Sequence, residues 1–328
     1  MSYAIDPAKH LGAEIQRIAE EQIGKAEKSL KGAGEEPHEA IHDARKRLKK
    51  LRGLVRLIRP EMEDFYKAQN VLFRDTAKKL SGMRDKAALV EAMQKLEERF
   101  ADEIETDAFG PVNTKLIADR DAEIKSGTKD APRRIEETLH ALKKARCAFR
   151  RCRFDKAKYK PKRDAKIAAA GLEKTYGRAR KALKIARKSR DTEDLHELRK
   201  RIKYHWAHLR LLKALWPDGF EPAIETAKRI ADDLGDDHDL AVMRAEMQSA
   251  PDSLGGEGDL SIIVALIDRR QAELREGALD AAGILLAEKP EAIAARIERL
   301  YRLAARRSTR PSVLPPMEPA AKLRVAKA

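Results

Sequence analysis

The chain has 328 residues, with 69 Lys plus Arg against 54 Asp plus Glu and a formal net charge of +15. This balance excludes an acidic scaffold and favours an anionic partner. Hydrophobic residues make up 42% of the chain, and no apolar run reaches the roughly 20 residues that a membrane-spanning helix needs. The first residues also lack the basic and apolar segments of a secretory signal. We therefore expect a globular cytoplasmic protein without a membrane partner.

The predicted elements are all helices, because Ala, Leu, Lys, Arg and Glu dominate and strand-like alternation is absent. Proline and glycine interrupt the helical periodicity often enough to predict roughly a dozen helices. The predicted breaks lie at residues 32–37, 59–60, 82, 110–111, 127–132, 161, 217–219, 235, 255–258 and 290. Residues 307–328 carry four prolines and no apolar periodicity. They are predicted to form a disordered, basic tail.

The positive charge is concentrated in one part of the chain. Residues 133–213 hold 28 Lys plus Arg and 9 Asp plus Glu. The rest of the chain then has 41 basic and 45 acidic residues, a slight negative excess. Such concentration is what a site for a polyanion requires, whereas a uniformly solvated surface does not need it.

A duplicated segment predicts the architecture. Residues 39–58 align without gaps to residues 193–212, with eight of twenty positions identical. The same offset of 154 residues pairs residues 80–85 with 234–239, and Met93 with Met247. We therefore expect one helical domain over residues 5–306, built from two halves of about residues 5–157 and 158–306. A pseudo-two-fold axis is expected to relate the halves.

Each duplicated helix carries two opposite stripes when about 100° separates successive residues. In the first helix the apolar stripe comprises Ile41, Ala44, Leu48, Leu51, Val55 and Ile58. The opposite side, here called the first basic stripe, comprises His42, Arg45, Lys46, Lys49, Arg52 and Arg56. The second basic stripe comprises His196, Arg199, Lys200, Lys203 and Arg210. Because acidic residues that would relieve repulsion are nearly missing from these stripes, they predict a polyanion site rather than a plain solvated face.

Two further features extend this prediction. Lys174, Arg178 and Lys181 share one face of the basic helix that precedes the second stripe. His42 and His196 lie in the first turn of their helices, where backbone N–H groups and the helix dipole favour an anion. Arginine offers forked donors to phosphate oxygens and lysine a mobile point charge, so both stripes suit a flexible phosphate chain.

These residues carry a resemblance to a known family. Both halves contain a helix that opens with Leu or Ile, His, two residues, Arg-Lys, two residues and Lys, followed later by a turn like Leu-Gly-x-x-x-Asp. The pattern resembles the CHAD family, the conserved histidine α-helical domain, over nearly the whole chain to about Arg306. The resemblance implies an all-α fold of two antiparallel helical bundles flanking a basic groove or pore. It further implies binding of inorganic polyphosphate, frequent association with polyphosphate granules, and no catalysis.

The two halves depart from each other at several positions. In the alignment of the two halves, Trp206 replaces Arg52, His205 replaces Leu51 and His238 replaces Arg84. The halves therefore need not bind a ligand equally. We expect no catalytic residue, no cofactor and no metal.

Three alternatives stay open. His38 to His42 matches the H-E-x-x-H pattern of zinc proteases, but its duplicate has Thr192 in place of the first histidine. The acidic cluster of residues 232–239, with His238 and Asp239, suggests an HD-type metal phosphohydrolase, although Arg84 replaces the histidine in the first copy. Its aspartate is interpreted instead as a cap of the next helix. Nucleic acid is the strongest alternative partner, because its phosphate backbone would be drawn to the same stripes.

Overall fold

The computed structural model describes residues 3–34, 37–80, 85–103, 109–152, 159–249 and 257–308. Over these ranges the chain forms ten α-helices and one short 3-10 turn at Lys213–Leu215, with no strand. The helices are α1 Leu11–Lys31, α2 Pro37–Leu57, α3 Glu63–Lys79, α4 Asp85–Phe100, α5 Phe109–Arg151, α6 Pro161–Ser189, α7 Thr192–Leu212, α8 Pro217–Ser249, α9 Glu257–Leu285 and α10 Pro290–Ser308. The all-α prediction is confirmed. None of these described helices has an apolar stretch long enough to cross a bilayer.

Four prolines open helices, as predicted. Pro37, Pro161, Pro217 and Pro290 are the first residues of α2, α6, α8 and α10. Proline suits this position because its missing N–H would have no partner there and its φ angle is already helical. Gly32 ends α1, donating its N–H to the Lys28 carbonyl over 3.1 Å.

Other predicted breaks are wrong. α5 runs for 43 residues through Gly127 and Pro132, and Gly110 and Pro111 lie in its first turn. Gly235 lies inside α8. Burial of Ala131, Leu142 and Phe149 against the core outweighs the one hydrogen bond that Pro132 removes. The predicted break at residue 82, the first half of the one at 255–258, and nearly all of the basic tail lie outside the described residues.

The predicted apolar stripe of α2 is confirmed as core. Ile41, Ala44, Leu48, Leu51, Val55 and Ile58 are all buried. They belong to a large hydrophobic cluster to which α1, α2, α6, α7 and α10 contribute extensively. A second cluster joins α4, the start of α5, the end of α8 and α9, and it contains both Met93 and Met247. The repeat-related methionines therefore occupy one core.

Helices α2, α6 and α7 approach one another closely. A Cβ atom added to Gly53 would lie 2.8 Å from the Cβ of Ala207, its repeat equivalent. One added to Gly171 on α6 would lie 1.7 Å from the Leu57 carbonyl oxygen. Equivalent helices also have equivalent neighbours, since α1 packs on α2 as α6 packs on α7. The two-fold relation of the halves stays a prediction.

Substituting Gly171→Ala should strongly destabilise the fold, because the added methyl group collides with backbone that cannot rotate away. We expect a loss of at least about 3 kcal/mol in the free energy of unfolding, measured by urea denaturation. Gly277→Ala in α9 is the matched control, since nothing lies within 4 Å of its added Cβ. It should stabilise the helix by roughly 0.5–1 kcal/mol. Equal effects of the two substitutions would contradict the close packing of α6 on α2.

Two buried histidines of α7 should make stability depend on pH. Burial, reinforced by nearby positive charge, lowers the pKa of His205 to about 4, and burial lowers that of His208 to about 3. The His208 Nε2 lies 3.2 Å from the Gly53 carbonyl oxygen, while the Nδ1 atoms of both rings have no hydrogen-bond partner. Below about pH 6.5 these two histidines are protonated in the unfolded chain but stay neutral in the folded protein. Stability should be complete above that pH and fall as the pH drops toward 4.

Urea denaturation between pH 6.5 and 5 tests this dependence, since that window lies above the ordinary range of carboxylate titration. For each proton that only the unfolded chain binds, the free energy of unfolding falls by roughly 1.4 kcal/mol per unit decrease in pH. The slope of the free energy of unfolding against pH should therefore be shallower by about that amount in His208→Gln. An unchanged slope would show that His208 is protonated in the folded protein.

Candidate anion-binding site

The C-terminal part of the first basic stripe is engaged by neighbouring helices. Arg56 is only 8% exposed. It donates to the Tyr66 hydroxyl over 2.6 Å and to Asn70 Oδ1 over 2.9 Å, and its Cζ lies 3.7 Å from the ring centroid of Tyr204. Arg52 donates to the Tyr204 hydroxyl over 3.0 Å. The stripe pattern did not show that α3 and α7 cover this side of α2 at Arg56.

The duplicated arginines near the start of the stripes bind backbone. Arg45 Nη1 donates to the Leu80 carbonyl over 3.4 Å, and Arg199 Nε donates to the Ala231 carbonyl over 3.1 Å. A Cβ added to Gly235 would lie 2.5 Å from Arg199 Nη2. Gly235 thus leaves room for a guanidinium group rather than ending a helix. Both arginines tie their helix to the next one, a structural role that the stripe pattern did not reveal.

Several lysines of the stripes reach solvent. Lys46, Lys49 and Lys200 are exposed and Lys203 is half-buried. Lys200 forms an ion pair with Glu197. Lys181 is exposed on α6, on the predicted face. These flexible side chains extend positive surface along α2, α6 and α7.

The histidines at the two helix starts have different surroundings. His42 lines a cavity at the start of α2 together with His38, Arg45, Lys46 and Glu91. His196 lies against α8, with its ring centroid 4.7 Å from that of His238. Burial, together with the charges of His238 and Arg199, lowers the pKa of His196. The two basic stripes therefore differ in their surroundings at the ends that carry the histidines.

The acidic cluster of α8 is not a helix cap. Asp239 lies in the middle of α8, so the capping prediction is wrong for it. Its Oδ1 lies 3.3 Å from His238 Nδ1. Asp237 is buried and accepts from Gln271 over 2.9 Å and Arg275 over 2.6 Å. Within the described part of the chain, no group of three or more His, Cys, Asp or Glu side chains could hold a metal ion.

Helices α2, α6 and α7 enclose a small cavity where they meet, here called the junction cavity. Its volume is only about 10 Å³, room for about one water-sized group. It is lined by Arg56, Arg59, Lys174, Thr175, Arg178, Arg201 and Tyr204. Five of these side chains are cations, which come from the end of α2 and the turn after it, from α6 and from α7. Three of the five, Arg56, Lys174 and Arg178, were predicted as site residues.

Arg59 and Arg201 were missed as site residues. Arg201 is identical to Arg47 in the duplicated segment, so the repeat carried a signal for it. Arg59 lies beyond the aligned segment and gave none. Both have acidic partners: Arg59 pairs with Glu63 at 2.8 Å, and Arg201 pairs with Glu197. Lys174 lies 3.7 Å from the same Glu63.

Arg178 differs from its neighbours in the junction cavity. Among the residues that the structure describes, no acceptor or carboxylate pairs with its guanidinium group. Burial and the charges of Arg59 and Arg201 lower the pKa of Arg178. Its positive charge is therefore destabilised where it stands. An anion in the cavity would reverse that effect.

Arg210, the last residue of the second basic stripe, lies apart from the junction cavity. Its Cζ is 5.0 Å from the ring of Trp206 and 5.5 Å from that of Tyr3. The predicted residues thus form no single continuous line. They lie at four places: the start of α2, the start of α7, the junction cavity, and the surroundings of Tyr3.

Comparison with known proteins identifies a family for this chain. No curated protein matches the chain. A family model described as the CHAD domain matches residues 17–248, from α1 to the end of α8. The match spans well over half of the 328 residues and includes both basic stripes and the junction cavity. The chain therefore belongs to the CHAD domain family.

Proposed function

We propose that this protein binds inorganic polyphosphate, or a similar phosphate polyanion, without catalysing a reaction on it. The observation that carries the proposal is Arg178, a half-buried cation among four others that lacks an acidic partner within the described residues. Its cost to the fold is explained if an anion occupies the junction cavity. Family membership supports the same ligand through the resemblance described above.

The shape of the site favours a phosphate chain. The junction cavity, at about 10 Å³, admits a single water-sized atom such as one phosphate oxygen, and the rest of a phosphate group would lie at its mouth. Exposed Lys46, Lys49 and Lys200 carry positive charge onward from it. A flexible chain with about one charge per unit can contact such scattered cations together and release counterions. We propose that the protein acts in the cytoplasm, on polyphosphate granules.

Nucleic acid is the competing partner. Its backbone would meet the same cations, but recognition of bases requires exposed aromatic platforms or a helix fitted to a groove. Tyr204 and Trp206 are instead occupied by Arg56 and Arg210. Duplex DNA should therefore displace bound polyphosphate poorly at physiological salt.

Replacing Arg178→Gln should weaken polyphosphate binding and spare the fold. Loss of a charged contact with phosphate should reduce the affinity about tenfold or more. The salt dependence of log Kd should become shallower by about one unit of slope. Because the substitution removes a crowded charge, the free energy of unfolding should stay the same or rise. Binding is measured by calorimetry at several salt concentrations, and stability by urea denaturation.

Arg299→Gln is the matched control for this substitution. Arg299 is exposed on α10 and is not one of the residues that line the junction cavity. The control variant loses the same charge, so it should keep nearly full affinity. An equal loss in both variants would mean that binding depends on net charge, and the junction cavity would not be the site.

No turnover is expected of the purified protein. Hydrolysis of a phosphoanhydride needs a positioned water with a base or metal set, whereas the junction cavity is lined by cations, Thr175 and Tyr204. Incubation with long-chain polyphosphate, with and without Mg²⁺ or Mn²⁺, should release no orthophosphate. Sustained release that is lost in His238→Ala would establish a hydrolase instead.

A further inference from the structure

A second group of cations lies where α2 meets α7, apart from the residues of the junction cavity. Lys50 Nζ and Arg210 Cζ each lie 5.5 Å from the ring centroid of Tyr3. The Tyr3 hydroxyl donates to the Lys50 carbonyl over 2.7 Å, which holds the ring in place. The ring of Trp206 flanks Arg210 at 5.0 Å. Two cations thus share one aromatic ring.

The charges around Lys50 are mostly positive. Lys25 faces it from α1, Arg47 from its own helix and Arg210 from α7. Asp43 is the one acidic group that favours its charged form, and Asp43 is already paired with Arg47 at 2.8 Å. In the described ranges, neither Lys50 nor Arg210 has a carboxylate oxygen within the 4.0 Å of an ion pair. Burial, followed by these cations, lowers the pKa of Lys50 to about 8.

The repeat explains why this cluster differs from the junction cavity. At the offset of 154 residues, Arg210 is equivalent to Arg56, and Lys50 is equivalent to Tyr204. Arg56 stacks on the ring of Tyr204 at 3.7 Å. In the other copy the equivalent positions hold Arg210 and the amine of Lys50, both over the ring of Tyr3. This half therefore places an amine, which can gain or lose a proton, where the other half has a tyrosine ring.

We propose that Lys50 and Arg210, framed by the rings of Tyr3 and Trp206, form a second anion subsite that binds a phosphate group and takes up a proton as it binds. The inference rests on the proposed function, because the phosphate group belongs to the same polyanion. A phosphate oxygen between the two cations screens their repulsion and stabilises the ammonium form of Lys50. The proton comes from solvent and adds to the lone pair of Nζ, and no other bond is made or broken.

Calorimetry of long-chain polyphosphate binding at pH 8, in buffers of different ionisation enthalpy, measures the protons taken up. The wild-type protein should take up roughly half a proton more per bound subsite than Lys50→Arg, whose charge is permanent. The affinity of the wild type should also fall about tenfold further than that of Lys50→Arg between pH 7 and pH 9. Ionisation of the polyphosphate itself contributes equally to both proteins and cancels in the comparison.

A second variant and a control complete the test. Lys50→Gln should lose the proton uptake and bind more weakly at pH 7, while melting curves report whether each variant is folded. Lys28→Arg, the same change at an exposed position of α1, should behave as the wild type. Normal binding with undiminished proton uptake in both Lys50 variants would overturn the subsite and leave the proposed function standing. Absence of any binding by the wild type would overturn both.

Discussion

The site depends on the close contact of three helices that carry the same sign of charge. Gly53 and Gly171 allow α2 to approach α7 and α6 more closely than any side chain would permit. This contact brings Arg56, Arg178 and Arg201 together around one small cavity, on helices whose backbones cannot move apart. Apolar burial holds the helices together in spite of the repulsion. The cations are therefore already in position before a ligand arrives, which reduces the ordering that binding requires.

Arginine and lysine have different roles along the two basic stripes. Arg45, Arg56 and Arg199 use their forked donors to bind carbonyl, hydroxyl and amide oxygens of neighbouring helices. A lysine could not replace them, because its single nitrogen does not span such groups. The exposed lysines carry their charge on long flexible stems at the surface. Rigid arginines thus define the geometry of the site, and lysines supply positive charge that adapts to a flexible chain.

Much of the fold could be predicted from the sequence, because the relevant signals are local. The apolar stripe of α2 follows from helical periodicity, and Pro37 and Pro161 mark helix starts through their own backbone chemistry. Pro132 and Gly235 misled the prediction, since their surroundings come from distant parts of the chain.

The site could be predicted only in part for the same reason. The periodicity of a single helix shows which side of α2 avoids its own apolar stripe. It does not show that Tyr66 and Tyr204 cover Arg56 on that side. The junction cavity joins residues more than a hundred positions apart, so only the repeat carried information about it. That information reached Arg201 through Arg47 but not Arg59.

Two carboxylates of the acidic cluster of α8 are bound by helices other than α7. In sequence, residues 232–239 form a dense group of carboxylates on the helix that follows the second basic stripe. In the fold, Asp236 pairs with Lys95 of α4 at 2.7 Å, and Asp237 is bound by Gln271 and Arg275 of α9. These carboxylates hold α8 against its other neighbours and are no longer available to the stripe. The negative charges of Asp236 and Asp237 thus lie where α8 contacts α4 and α9. There they stabilise the bundle without neutralising the surface that an anion would bind.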